Sequence, residues 1–200
     1  MKHYFRVAAV LLAVTALVGL GAGPATAATA NKTDEAFVAE MPMHHEMAIE
    51  MAEMALEQGE HAKIKSTAQK IIKAQKAEVA QLEKIAKRLG VTPVSMHDHM
   101  AMMEGLDTLG LTMKQAGMEM NMDDLDGAKP FDRMFIDMMI PHHQGAIRMA
   151  RIELKRGKDA QLREIAKAII SGQAKEIREM NQWRTKWYGA PSPAGGVPKG

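Results

Sequence analysis

The chain contains no cysteine, which excludes disulfide frameworks, thiolate zinc sites and cysteine nucleophiles together. Aromatic residues are scarce at 4%, and neither charge sign dominates: 26 Lys+Arg against 24 Asp+Glu leave a formal charge of +2, which gives no basic field for nucleic acid. No Ser/His/Asp order, phosphate-binding glycine loop or H-E-x-x-H run occurs, so hydrolytic and nucleotide chemistry have no support. What is abundant is methionine, 19 in a chain of 200 residues. The length suits one domain or two small ones.

The N-terminus reads as an export signal. Lys2 and Arg6 form a basic start, Val7 to Leu20 is apolar, and two A-x-A sites follow at Ala25–Ala27 and Ala28–Ala30. The apolar run is shorter than the roughly 20 residues a membrane-spanning helix needs. Residues 1–30 are therefore expected to be a secretory signal peptide, with no stable membrane anchor after cleavage. Removing Lys2 and Arg6 brings the basic count down to the acidic count of 24, so the mature protein is neutral and works in the periplasm, cell envelope or outside medium.

An internal repeat organises the rest. Residues 34–90 align without a gap on 132–188 at an offset of 98, and Asp34, Phe37, Met41, His44, His45, Ala48, Met51, Gly59, Ala68, Ile71, Gln75 and Glu78 all recur identically. Each copy holds two helix-period segments around a glycine break, Gly59-Glu60 in the first and Gly157-Lys158 in the second, and so predicts a helical hairpin. A hairpin cannot bury its apolar face alone. Two of them make an all-α four-helix bundle over residues 31–188, joined by a long connection at 91–131; the Pro/Gly-rich tail 189–200 reads as disorder.

The apolar stripes point His44 and His142 to the bundle centre. Phe37, Met41, His44, Ala48 and Met51 follow a 4-3-4-3 spacing, repeated by Phe135, Met139, His142, Ala146 and Met149. In the second helix of each hairpin Gln75, Glu78, Gln173 and Glu176 interrupt the stripe. Reflection about the Gly59-Glu60 turn sets His44 level with about residue 75 and Met41 level with about residue 78, so these polar groups share a layer and could support the ligands from behind. Two accounts fit. The layer is a satisfied network in which the glutamates accept from imidazole and fix register, or it holds a metal. Met41 and Met51 around His44, and Met139 and Met149 around His142, make a thioether and imidazole set suited to copper(I) or silver(I). His45 and His143 fall about 100° round, at the edge of the stripe, where they reach the mouth of the layer or stand half-exposed. Pro42 marks either the first turn of its helix or, like Pro141, a kink within one.

The connection is where methionine is densest. Residues 96–103 hold Met96, His97, His99, Met100, Met102 and Met103, and on a short helix Met96, Met100 and Met103 share a face. With few Leu, Ile, Val or Phe nearby, this run reads as a loader of soft metal ions; a Met-rich cap over the bundle is the alternative.

The segment Asp132 to Ala150, with Met138-Met139-Ile140-Pro141-His142-His143-Gln144-Gly145-Ala146-Ile147-Arg148-Met149 at its centre, resembles the signature of the domain of unknown function 305 family, the CopM-like proteins. Ala166, Ile169, Ile170, Gln173, Glu176, Ile177, Met180 and Trp183 resemble its second helix, and the first copy departs from the pattern at Pro42, Met43 and Glu46-Met47. The resemblance implies a ferritin-like four-helix bundle and, for some members, extracytoplasmic copper binding and tolerance. It carries metal ligation directly to His142, His143, Met139 and Met149, and through the repeat to His44, His45, Met41 and Met51. The expected function is soft-metal binding for sequestration or homeostasis, by a binding protein and not an enzyme. The rival reading is a structural or partner-binding bundle with no metal role. A di-iron oxidase of ferritin type would need more carboxylates than the layer offers. Metal ions are the expected partners; a homo-oligomer and a delivery partner are left open.

Overall fold

A computed structural model describes residues 29–199, so the expected signal peptide lies outside the described residues apart from its last two positions. The helices are α1 (Lys32–Gln58), α2 (Ala62–Leu89), α3 (His99–Leu109), α4 (Phe131–Arg156) and α5 (Ala160–Tyr188), with a 3₁₀ turn at Met122–Asp124. There is no strand among the described residues. None of these helices is long and apolar enough to cross a membrane.

The hairpins predicted by the repeat are α1–α2 and α4–α5, and α1 packs on α4 to join them. Two apolar clusters fill the bundle. One gathers Phe37, Val38, Met41 and Met43 of α1 with Met149 and Ala150 of α4 and with Leu82, Leu162 and Ile169. The other gathers Met51, Ala52 and Ala55 of α1 with Phe135 and Met139 of α4 and with Ile64, Ile71 and Ile177. The early part of α1 thus meets the late part of α4 and the reverse, so the helices run antiparallel, with His44 and His142 at the waist between the clusters.

Helix ends are tied across the repeat. Asn31 caps α1 by accepting from the Thr33 and Asp34 amides, and the Asp34 carboxylate accepts from the Asn31 amide in return. Asp34 also accepts from the amides of Lys158 and Asp159, in the turn of the other hairpin. Asp132 repays this by accepting from the amides of Glu60 and His61, at the start of α2, whose N-terminus has no cap of its own. These bonds satisfy orphan helix amides that water would otherwise have to serve.

Two expectations are corrected here. α1 begins at Lys32, so Pro42 lies well inside it and does not mark its first turn; α1 and α4 both run through their prolines. The tail is not loose: Gln144 Nε2 donates to the carbonyls of Ala194 and Gly196 at 2.8 and 2.7 Å, and Asn181 bonds Ser192 and Gly195. Val197 packs on the second apolar cluster, which gives the tail the apolar contact its composition alone did not promise.

Candidate metal centre

At the waist the His44 and His142 rings face each other with centroids 3.8 Å apart and planes at 36°. Both side chains are fully buried. Burial pushes the His44 ring down to about 3, helped by the nearby His45 and opposed by its bond to the Ala116 carbonyl. The same burial, with His44, His143 and His45 adding to it, holds His142 well below its ordinary value. Both rings are therefore neutral imidazoles with a lone pair to give.

Their partners leave those lone pairs uncommitted. His44 Nε2 donates to the Ala116 carbonyl at 2.9 Å, which fixes its tautomer and leaves Nδ1 as the acceptor, without a partner. His142 makes no hydrogen bond through either ring nitrogen among the described residues. A buried polar group without a partner costs about 1–3 kcal/mol, so this pair is expensive to keep as packing alone.

His45 and His143 are not at the edge, as the helical wheel suggested, but fully buried. Each donates from Nε2 to a glutamate of its own hairpin, His45 to Glu78 and His143 to Glu176, both at 2.7 Å. The glutamates thus meet the second histidine of each pair and not the layer of Met41 and His44. Reflection gives only backbone levels, and each long glutamate side chain reaches along the helix axis to the second histidine. Gln75 and Gln173 are buried with both amide atoms unpartnered, a further unmet polar demand in this region.

The thioethers Met41, Met51, Met139 and Met149 are all fully buried, Met41 sharing a cluster with Met149 on one side of the waist and Met51 with Met139 on the other. The Met-His run of the connection stands apart from this centre. Met96, Met100 and Met103 are 51, 79 and 42% exposed, and His97 and His99 are exposed beside them. Met102 turns inward with Leu106 and Leu109, which seats α3 on α1.

The connection reaches the centre through its backbone instead. Ala116 supplies the carbonyl to His44, and a Cβ on Gly117, which sits at φ +70, would collide with the Pro141 carbonyl and lie 2.8 Å from the Cα of His142. A Cβ on Gly145 would enter the Ala116 carbonyl. Sequence reasoning missed these contacts, although a glycine inside a helix, where it costs about 1 kcal/mol, signals a close approach. It gave no role to Glu153, which continues the inward stripe of α4, nor to Glu40; both are fully buried with no partner for either carboxyl oxygen. Burial raises each to about 8, and the Asp34 charge adds to the rise of Glu153.

The profile of the family described as Domain of unknown function (DUF305) matches residues 34–184. The solved structure of CopM in the Cu(I)-bound form superposes with a TM-score of 0.64 at 33% identity, over 78% of this chain and 98% of that one. CopM in an Ag-bound form gives the same TM-score, identity and coverage. A DUF305 protein from Streptomyces coelicolor, 22% identical over 80% of this chain and 96% of its own, shares the fold with a TM-score of 0.67. An uncharacterized protein of Acanthamoeba polyphaga mimivirus is 42% identical over 50 residues, which are 25% of this chain and 33% of that protein.

Proposed function

This chain belongs to the DUF305 family, and we propose that it binds a soft metal ion, copper(I) or silver(I), outside the cytoplasmic membrane, for sequestration or homeostasis. The observation that carries the reading is the His44–His142 pair: two neutral, fully buried imidazoles with ring nitrogens left unpartnered. Imidazole and thioether donors without thiolate suit a soft monovalent cation and serve calcium or magnesium poorly. CopM, similar over most of this chain, has been solved with Cu(I) and with Ag bound, which supports the same cargo here. The ligands put forward are His44 and His142 with Met41, Met51, Met139 and Met149. Behind them Glu78 and Glu176 orient His45 and His143, and Met96, His97, His99, Met100 and Met103 form an outer loading run.

Binding, not catalysis, is the role proposed. The carboxylates expected in the central layer, Glu78 and Glu176, are instead each engaged by His45 or His143, so a di-iron centre would have to break both bonds. Those bonds also favour a second reading, in which the layer is a register-setting polar network and the bundle is a structural or partner-binding module. Anaerobic titration with copper(I) against a chromophoric chelator, run beside zinc and iron(II), separates the two. A soft-metal protein takes copper(I) in preference to zinc, and His44→Ala/His142→Ala lowers its capacity. Equal zinc binding, or unchanged capacity in the double variant, sinks the central site.

A further inference from the structure

On the outer face of α4 lies a solvent-open pocket of about 480 Å³ whose lining includes Met120, Met134 and Met138. We propose that this pocket is a separate binding site for a soft monovalent cation, held by those three thioethers; the proposal rests on the soft-metal reading of the protein but not on the central histidines. Met134 and Met138 are four residues apart on α4 and so share a face. Met120 approaches from the connection; Met138 belongs to the second apolar cluster, and Met120 and Met134 are half-buried against it.

The repeat shows that this arrangement is particular to the second hairpin. The positions equivalent to Met134 and Met138 are Ala36 and Glu40 on α1, and there α3 lies over the helix, with Gly105 against the Glu40 carboxyl. Among the described residues no α-helix covers the same face of α4. The chain around residues 114–124, with its 3₁₀ turn, crosses it, held close by Gly117 against Pro141, and leaves a pocket open to solvent. A face that merely needed filling could use Leu or Ile; three flexible thioethers around an open concavity supply donors as well as bulk.

The rim has the charge a cation would meet. Glu119, Asp124, Asp137 and Lys114 all line the pocket. Asp137 is taken by Arg184, which donates to it at 3.1 and 3.2 Å, and Asp124 accepts from Asn121. Glu119 is exposed and makes no side-chain hydrogen bond among the described residues, so it supplies free negative charge without displacing the soft donors. Thioethers select against zinc, calcium and magnesium. The floor of the pocket is Pro141, the residue before His142, so the site adjoins the buried centre while remaining distinct from it.

The test is silver(I) titration of the full chain labelled with ¹³C in the methionine methyls, with signals assigned by single Met→Leu variants. The methyls of Met120, Met134 and Met138 should move together and saturate in one step, in wild type and equally in His44→Ala/His142→Ala. Met134→Leu/Met138→Leu should abolish the step at Met120 and lower the silver stoichiometry by one equivalent while the helical circular dichroism is retained; Met120→Leu, in the connection, tests the same loss without touching a helix. Three signals that stay still while other methionines saturate, or that move only with Met100 at excess silver, overturn the proposal, as does unchanged stoichiometry in either Leu variant. Loss of the central site with the three signals intact, or an inert central pair with the three signals shifting, leaves this site standing and bears only on the histidines.

Discussion

Asp34 and Asp132, 98 positions apart in equivalent places of the repeat, each close the turn of the other hairpin. The α1–α2 turn has no side-chain cap of its own, and the α4–α5 turn has only Asp159 on the Gln161 and Leu162 amides, so each half completes the other at its turn. Asp132 also accepts from His61 Nδ1 at 2.6 Å, and that ring stacks on Trp187 at 3.8 Å. Asp34→Ala and Asp132→Ala should each cost about 1–3 kcal/mol, because the first leaves the Asn31, Lys158 and Asp159 amides unserved and the second those of Glu60 and His61. Their effects should add, since the sites share no partner. Urea unfolding midpoints of the single and double variants check this; a double variant no worse than either single one would mean the ends are coupled.

The reciprocal clasp marks where the sequence was legible and where it was not. The recurrence of His44 as His142 announced two hairpins and two inward histidines, because a helical stripe depends only on local periodicity. Which groups meet across helices depends also on how far side chains reach along the axis. His45 was expected at the stripe's edge, yet it is fully buried and meets Glu78 from the neighbouring helix. Asp34 and Asp132 were visible as a repeated pair, but their partners lie in the opposite copy, which no single-hairpin argument could supply. Glu40 is buried where α3 folds back over α1, a long-range contact that local periodicity does not encode.

Stability should depend on pH through two opposed sets of groups. Glu40 and Glu153 are held up to about 8 when folded but ionise near 4.5 when exposed. Between those values the folded protein keeps protons the unfolded chain has released, so their contribution is full below about pH 4.5 and is lost as pH rises to about 8. His44 and His142 act in reverse: the unfolded rings take protons below 6.5 that the folded ones refuse, so stability falls as pH drops from that point. Of these four groups, the two glutamates set the trend above about pH 6.5. The urea midpoint of the metal-free protein should therefore decline from pH 6.5 to 8, and Glu40→Gln/Glu153→Gln should flatten the decline.

Methionine oxidation should follow exposure. Met100, Met96 and Met103 are open to solvent at 79, 51 and 42%, whereas Met41, Met51, Met139 and Met149 are fully buried. A mild peroxide treatment should convert the exposed three to sulfoxides first and leave helicity intact. Copper(I) or silver(I) should protect them if the run loads metal. Peptide mass spectrometry with and without silver reads both effects, and early sulfoxide at Met139 would show that the core opens on the timescale of the reaction.

The contact between α4 and the connection yields the most discriminating substitution. Gly145 lies where α4 passes beneath Ala116, whose carbonyl accepts from His44, and Arg148 holds the neighbouring Gln115 carbonyl at 2.9 Å. In an exposed helix interior Gly→Ala stabilises by about 0.5–1 kcal/mol. Gly172, in α5 with nothing within 4 Å of an added Cβ, should show that gain. At Gly145 the added methyl would have to displace backbone, and overpacking of this kind costs about 1–3 kcal/mol. Gly145→Ala should therefore destabilise while Gly172→Ala stabilises, although the chemical change is identical. Lifting Ala116 also removes the acceptor that fixes the His44 tautomer, so Gly145→Ala should weaken copper(I) binding and Gly172→Ala should leave it unchanged. Parallel unfolding and chelator competition on the two variants would expose an error at once. If Gly145→Ala binds copper(I) as tightly as wild type despite its lost stability, the Ala116 bond does not orient His44 for the metal.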